Sequence, residues 1–170
     1  MATRRSQSVP QGTRAGAVPS KRPRQVPSEP EDVSDPTAPR RVVDYALQRR
    51  RALARSALAA AGADEHIDPH PDLLRAASHH GEKAGSPCPR CRTEGSLVFL
   101  WFIYGDELGY MEGRVVPEAR LASLAVQFGA FRVYQVEVCT RCGWNHLLVS
   151  FVLGDGVPRQ PLRAPRDLLA

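Results

Sequence analysis

The chain's only four cysteines fall in two pairs, "CPRCR" from Cys88 and "CTRCGWNH" from Cys139, with 47 residues between Cys91 and Cys139. A Cys-x-x-Cys turn aims two thiolates at one ion at about 2.3 Å, and two such turns complete a tetrahedron. The spacing therefore predicts one site built from Cys88, Cys91, Cys139 and Cys142, holding one structural Zn2+ per chain. Pro89 fixes the first turn, and Gly143 follows Cys142 where such a knuckle needs a positive φ. Arg92 stands at the matching place in the first pair, which predicts a less regular turn there. Four thiolates leave zinc no open coordination position, so the metal is expected to hold shape and not to activate water. Redox catalysis by a single reactive pair would need a thioredoxin-like βαβ pattern, which the sequence lacks.

The residues between and around the pairs must bring them together. "LVFLWFIY" from Leu97 to Tyr104 is a continuous apolar run of strand length, suited to burial on both faces. "GDE" from Gly105 reads as a hairpin turn, and "LGYMEGRVV" as a second strand weakened by Gly109 and Gly113. Pro117 opens a helix in which Leu121, Leu124, Ala125 and Phe128 share a face, and Gly129 stops it. "FRVYQVEV" then delivers Cys139, and "WNHLLVSFVL" leaves Cys142 with Trp144, His146, Leu148 and Ser150 on one face. The expected fold class is α+β: a small antiparallel zinc-ribbon-like sheet of three or four strands with an inserted helix, preceded by two helices and flanked by disordered tails.

Upstream, residues 41–62 read as a helix with Val43, Leu47, Ala54 and Leu58 as its apolar stripe and Gly62 as its end. A second helix follows, with Asp68 as cap, Pro69 in the first turn and Gly81 as the stop. His79 and His80 close it, where the helix dipole suits them, and they would ligate metal only with a third donor. His146 is an alternative ligand, although with four cysteines present a packed or surface histidine is the expectation. The organisation expected is a disordered basic, Pro-rich tail over 1–40, a helical segment over 41–82, a zinc-ribbon-like domain over 83–154 and a disordered tail over 155–170. The first forty residues hold seven prolines and no aromatic, too little apolar surface to offset ordering entropy. The sequence has no secretory apolar run and no membrane-length apolar stretch, so a cytoplasmic location is expected.

Charge bears on partners. Of the formal +5, residues 1–41 supply eight Lys/Arg against four Asp/Glu, whereas residues 42–153 balance twelve against twelve. Electrostatic attachment to phosphates needs a concentrated patch, and this balance argues against one. The stretches "VVDYALQRRRALA", "HPDLLRAASHHGE", "CPRCR", "IYGDELG" and "VEVCTRCGWNHLLVSFVLG" together resemble an uncharacterised actinobacterial domain family of unknown function over about residues 41–154. The resemblance implies a cytoplasmic protein with a paired-cysteine zinc-ribbon-like module, and supplies no activity.

The function expected from the sequence is a non-catalytic adaptor that docks on a protein or on a ribonucleoprotein or polymerase assembly of the transcription or translation machinery. The candidate surface is Arg49, Arg50, Arg51 and Arg55 on the first helix with Arg90, Arg92 and Arg141 on the knuckles. The alternative is direct, weakly specific nucleic-acid binding by the same arginines, with Trp144 or Tyr134 exposed for stacking. An enzyme is the least supported reading. Tyr104, Asp106, Glu107, His79, His80 and His146 come with no nucleophile elbow, phosphate loop or open metal motif, and no small-molecule substrate is evident.

Overall fold

A computed structural model describes residues 34–58 and 69–159. Most of both tails, Gly62 and Asp68 lie outside the described residues. The elements are β1 (Arg40–Asp44), α1 (Ala46–Leu58), α2 (Pro71–His80), β2 (Glu82–Lys83), β3 (Leu97–Tyr104), a 3-10 helix (Asp106–Met111), β4 (Val115–Val116), α3 (Glu118–Gln127), β5 (Phe131–Cys139) and β6 (Asn145–Leu153). The strands form one antiparallel sheet in the order β1-β6-β5-β3-β2, with β4 pairing β3. The α+β class with a helix inserted between the cysteine pairs is as expected, but the sheet has six strands. Among the described residues no helix is long and apolar enough to cross a membrane.

Strand β3 is buried along both faces, which is what its unbroken apolar run dictates. Trp101 and Ile103 point to a core shared with Leu121, Leu124, Ala125 and Phe128 of α3. Val98 and Leu100 point the other way, where Ala77, Leu73 and Leu74 of α2 cover them. Leu97, on the α3 side of the sheet, joins a third cluster with the cysteines and with Ala52 and Leu53 of α1. The sheet is thus a central layer with α2 on one face and with α3 and α1 at opposite ends of the other.

Several local expectations are corrected. "GDE" opens a 3-10 helix and not a hairpin, and only Val115 and Val116 of the expected second strand pair. Gly109, at φ 55, turns the chain where a strand would have to stay extended, and Leu108 and Met111 enter the core instead. Residues 41–44 belong to β1, not to the first helix: Val43 and Asp44 pair with Ser150 and Val149 of β6, and Asp44 then accepts from the Ala46 N–H at 2.6 Å to start α1. The helix is also rotated from the expected stripe: Leu47 is 64% exposed, and Arg49, Ala52 and Leu53 face inward. In α2 the cap is His70, whose Nδ1 accepts from Asp72 N–H at 3.2 Å, with Pro71 in the first turn.

Both ends of the described chain are tied to the sheet. The Gly154 N–H donates to the Pro36 carbonyl at 2.9 Å. At the other terminus, Glu107 Oε2 accepts from the N–H groups of Gly129 and Arg159 at 3.0 and 3.1 Å. Gly129 does more than stop α3, since a Cβ there would collide with this carboxylate and with the Val157 carbonyl. Gly129→Ala is therefore expected to cost about 2 kcal/mol, the scale of overpacking a filled site, read as a lower urea midpoint. An unchanged midpoint would mean that the 155–159 segment is not held there.

Candidate metal centre

The register Leu97↔Cys139 between β3 and β5 sets the loop that carries Cys88 and Cys91 beside the second pair. The two knuckles have the same backbone bonding: Arg92 N–H donates to the Cys88 carbonyl at 2.9 Å, and Gly143 N–H to the Cys139 carbonyl at 3.0 Å. Arg92 takes a left-handed φ of 59, matching 73 at Gly143, so the expected irregularity is absent. Closure of the first knuckle overrides a penalty of about 1 kcal/mol for a side chain in that conformation.

All four Sγ atoms lie within 4.8 Å of one another. The Cys88–Cys142 and Cys91–Cys139 separations are both 3.7 Å. A tetrahedron with arms of about 2.3 Å has edges of about 3.8 Å, so the donor set fits a tetrahedral thiolate-bound cation. Cys88 and Cys139 are buried, and Cys91 and Cys142 half-buried. Burial pushes the Cys88 thiol up to about 12 and raises Cys142 as well. Cys91 is lowered to about 6 by the Thr93 hydroxyl. Burial opposes ionisation of Cys139, but its contact with the Ser96 hydroxyl and the N–H groups of Cys142 and Arg141 outweigh it. Cys88 and Cys91 are thus pushed toward opposite charge states, and a dication in the site would favour the thiolate form of all four.

Cross-ties reinforce closure. Arg90 Nη1 donates to the Cys142 carbonyl at 3.2 Å, and Arg141 Nη1 to Thr93 Oγ1 at 2.7 Å, so each knuckle's arginine reaches the other knuckle. Beneath them, Glu137 is 1% exposed and accepts from Arg49 Nε and Nη2 at 2.6 and 3.0 Å and from Trp144 Nε1 at 2.8 Å. Glu137 raises the Arg49 pKa by this hydrogen bonding. Two residues of the expected partner surface are engaged within the protein. Arg49 is committed to Glu137, and Trp144, 2% exposed, fills the cluster under the cysteines and is not open for stacking.

Arg50, Arg51, Arg55 and Arg92 are exposed, and the last lies with Arg90 along a groove of about 510 Å³ between α1 and the first knuckle. His146 stacks on Trp144 with ring centroids 6.0 Å apart, and Nδ1 lies 2.6 Å from the Leu147 carbonyl oxygen. His79 and His80 sit exposed at the end of α2. Among the described residues no second group of three His, Cys, Asp or Glu side chains comes together. Sequence reasoning missed Glu137 and Ser96. A carboxylate two positions before Cys139 on a strand shares the face of that buried ligand, and such a residue announces a buried pair.

Because Arg49 is 31% exposed and Glu137 nearly sealed, removing the two partners should not cost the same. Arg49→Met strands a buried carboxylate and is expected to cost about 3 kcal/mol, whereas Glu137→Gln leaves a cation that reaches water and should cost about half as much. Urea unfolding of the two variants measures the difference, and the reverse order would contradict the burial asymmetry.

The chain was compared with known proteins. It is 41% identical over 121 residues to the uncharacterized proteins Mb0050 of Mycobacterium bovis and Rv0049 of Mycobacterium tuberculosis, covering 71% of this chain and 88% of each relative. No solved structure matches. The model of a family of unknown function, DUF5318, matches residues 37–166, and the chain belongs to that family.

Proposed function

We propose that the protein is a zinc-stabilised, non-catalytic docking module that attaches to a protein component of a larger assembly, such as the transcription or translation machinery. The observation that supports this is the closure of two equivalent knuckles on one volume with all four thiols pointed into it. Zinc suits four thiolates better than harder cations do, and with four protein ligands it acts as a scaffold. Its apparent binding energy, about 10 to 16 kcal/mol in zinc-finger peptides, substitutes for core that a small sheet lacks. Four free thiols suit a reducing compartment, so the reading places the protein in the cytoplasm.

The groove beside the first knuckle supports the docking half of the proposal. It is lined by Leu53, Ser56, Ala57, Pro89, Arg90 and Arg92, and the exposed Arg51 and Arg55 lie on the same helix. An apolar floor with cationic walls suits an acidic protein segment. Direct nucleic-acid binding by this surface has less behind it, because Arg49, Arg90 and Arg141 have intramolecular partners and Trp144 is buried.

Metal analysis of the purified chain is expected to give one zinc per molecule, with Cys139→Ser losing both the metal and the cooperative thermal transition. No zinc together with readily alkylated thiols would overturn the structural site. Purification from the native cell extract is expected to retain a protein partner at high salt, lost when Arg51 and Arg55 are changed to Glu. Recovery of nucleic acid alone, released by salt, would favour the direct-binding alternative.

A further inference from the structure

The two faces of the sheet differ in charge. On the face that α2 partly covers, the charged residues at paired positions are Lys83, Arg132 and Arg40, and none is acidic. Glu82, Glu137 and Asp44 all occupy paired positions of the opposite face. Helix α2 covers the Val98–Leu100 end of the first face and leaves the other end open. There a hollow of about 400 Å³ is lined by Phe102, Tyr104, Tyr134, Val136 and Leu147. Phe102 pairs with Tyr134 directly across the ladder, and Tyr104 pairs with Arg132. Tyr104 is 43% exposed and meets Tyr134 edge-on, with ring centroids 5.6 Å apart. Arg132 makes no ion pair among the described residues.

We propose that this open aromatic face binds a single-stranded nucleic-acid segment, with bases stacked on Tyr104 and Tyr134 and a phosphate held by Arg132. Tyr104 and Tyr134 lie on neighbouring strands beside Phe102, aromatic faces stack on any base, and alternate positions along a strand lie about 7 Å apart, a spacing that successive splayed bases can span. Arg132, without an ion pair beside these rings, selects an anionic ligand over an uncharged apolar peptide. Residues 1–33 add six Lys/Arg against three Asp/Glu, and the chain that follows them is fastened through Pro36 to Gly154, at the Arg132 end of the sheet. The surface is separate from the groove proposed for docking, so either assignment can fail without the other.

The test is fluorescence anisotropy of the full, zinc-loaded chain with labelled single-stranded RNA, single-stranded DNA and the corresponding duplexes. Single strands are expected to bind in preference to duplex, and the RNA-to-DNA ratio identifies the natural class. Tyr104→Ala should weaken binding roughly ten-fold, the effect of removing one stacking side chain. Tyr104→Trp should retain affinity and show its fluorescence quenched by the oligonucleotide. Arg132→Gln should lower the slope of log affinity against log salt by about one. Equal affinity for duplex, an unchanged affinity in Tyr104→Ala, or capture of an acidic peptide in place of any oligonucleotide would overturn the proposal. Wild-type zinc content and melting in each variant separate such a result from a lost metal site.

Discussion

The metal centre exists because β3 and β5 pair in one register. Leu97 opposite Cys139 puts the first knuckle loop against the second, and a slip by one residue would turn Cys139 to the other face of the sheet. The register is held from within the excursion itself: Trp101, Ile103, Phe131 and Val133 point into the core that α3 closes. Loop-closure cost rises only slowly with length, so an insertion this long is affordable once it carries its own core. Core and cysteine site are therefore mutual supports. The core returns the chain to the right place, and the cross-tied knuckles join the far end of the two strands.

Placement of α1 follows from the same corner of the structure. Cys142 leads through Gly143 to Trp144, whose indole N–H binds Glu137, and Glu137 in turn grips Arg49 on the helix. Ala52 and Leu53 of that helix pack against the cluster of Cys88, Leu97, Cys139 and Trp144. A loosened second knuckle would release Trp144, leave a buried carboxylate short of one donor, and weaken the ion pair that orients the helix. Presentation of the α1 arginines is in this way tied to closure of the cysteine site.

What the sequence disclosed were features decided locally. The Cys-x-x-Cys spacing within each pair, the unbroken apolar run of β3, and the Pro117-to-Phe128 periodicity each carry their answer within a dozen residues, and each appears where it was expected. Strand β1 was hidden because "RRVVD" precedes a true helix and its strand character is decided by β6, far along the chain. Leu47 was misplaced because the rotation of α1 is set by Arg49 reaching Glu137, a polar contact that an apolar stripe does not register. Simple alternation put Trp144 on one face with His146, Leu148 and Ser150, but it lies before β6 begins, and β6 meets β5 with a register shift at Gln135/Val136.

The neutral sum of residues 42–153 is the most instructive of these limits. Equal numbers of cations and carboxylates were weighed against an anionic ligand, yet a sum carries no information about which side of a sheet each charge occupies. Period-two alternation sends Glu137 and Arg132 to opposite faces of β5, and cross-strand pairing gathers Asp44 and Glu82 on the side of Glu137. One carboxylate there is neutralised by Arg49 from a helix, so the balance is settled on that face without drawing on Arg132. On the opposite face Arg132 stands, without an ion pair among the described residues, beside Tyr104 and Tyr134. Charge that cancels in composition is thus separated by the strand period, and the field at the surface is set by that separation.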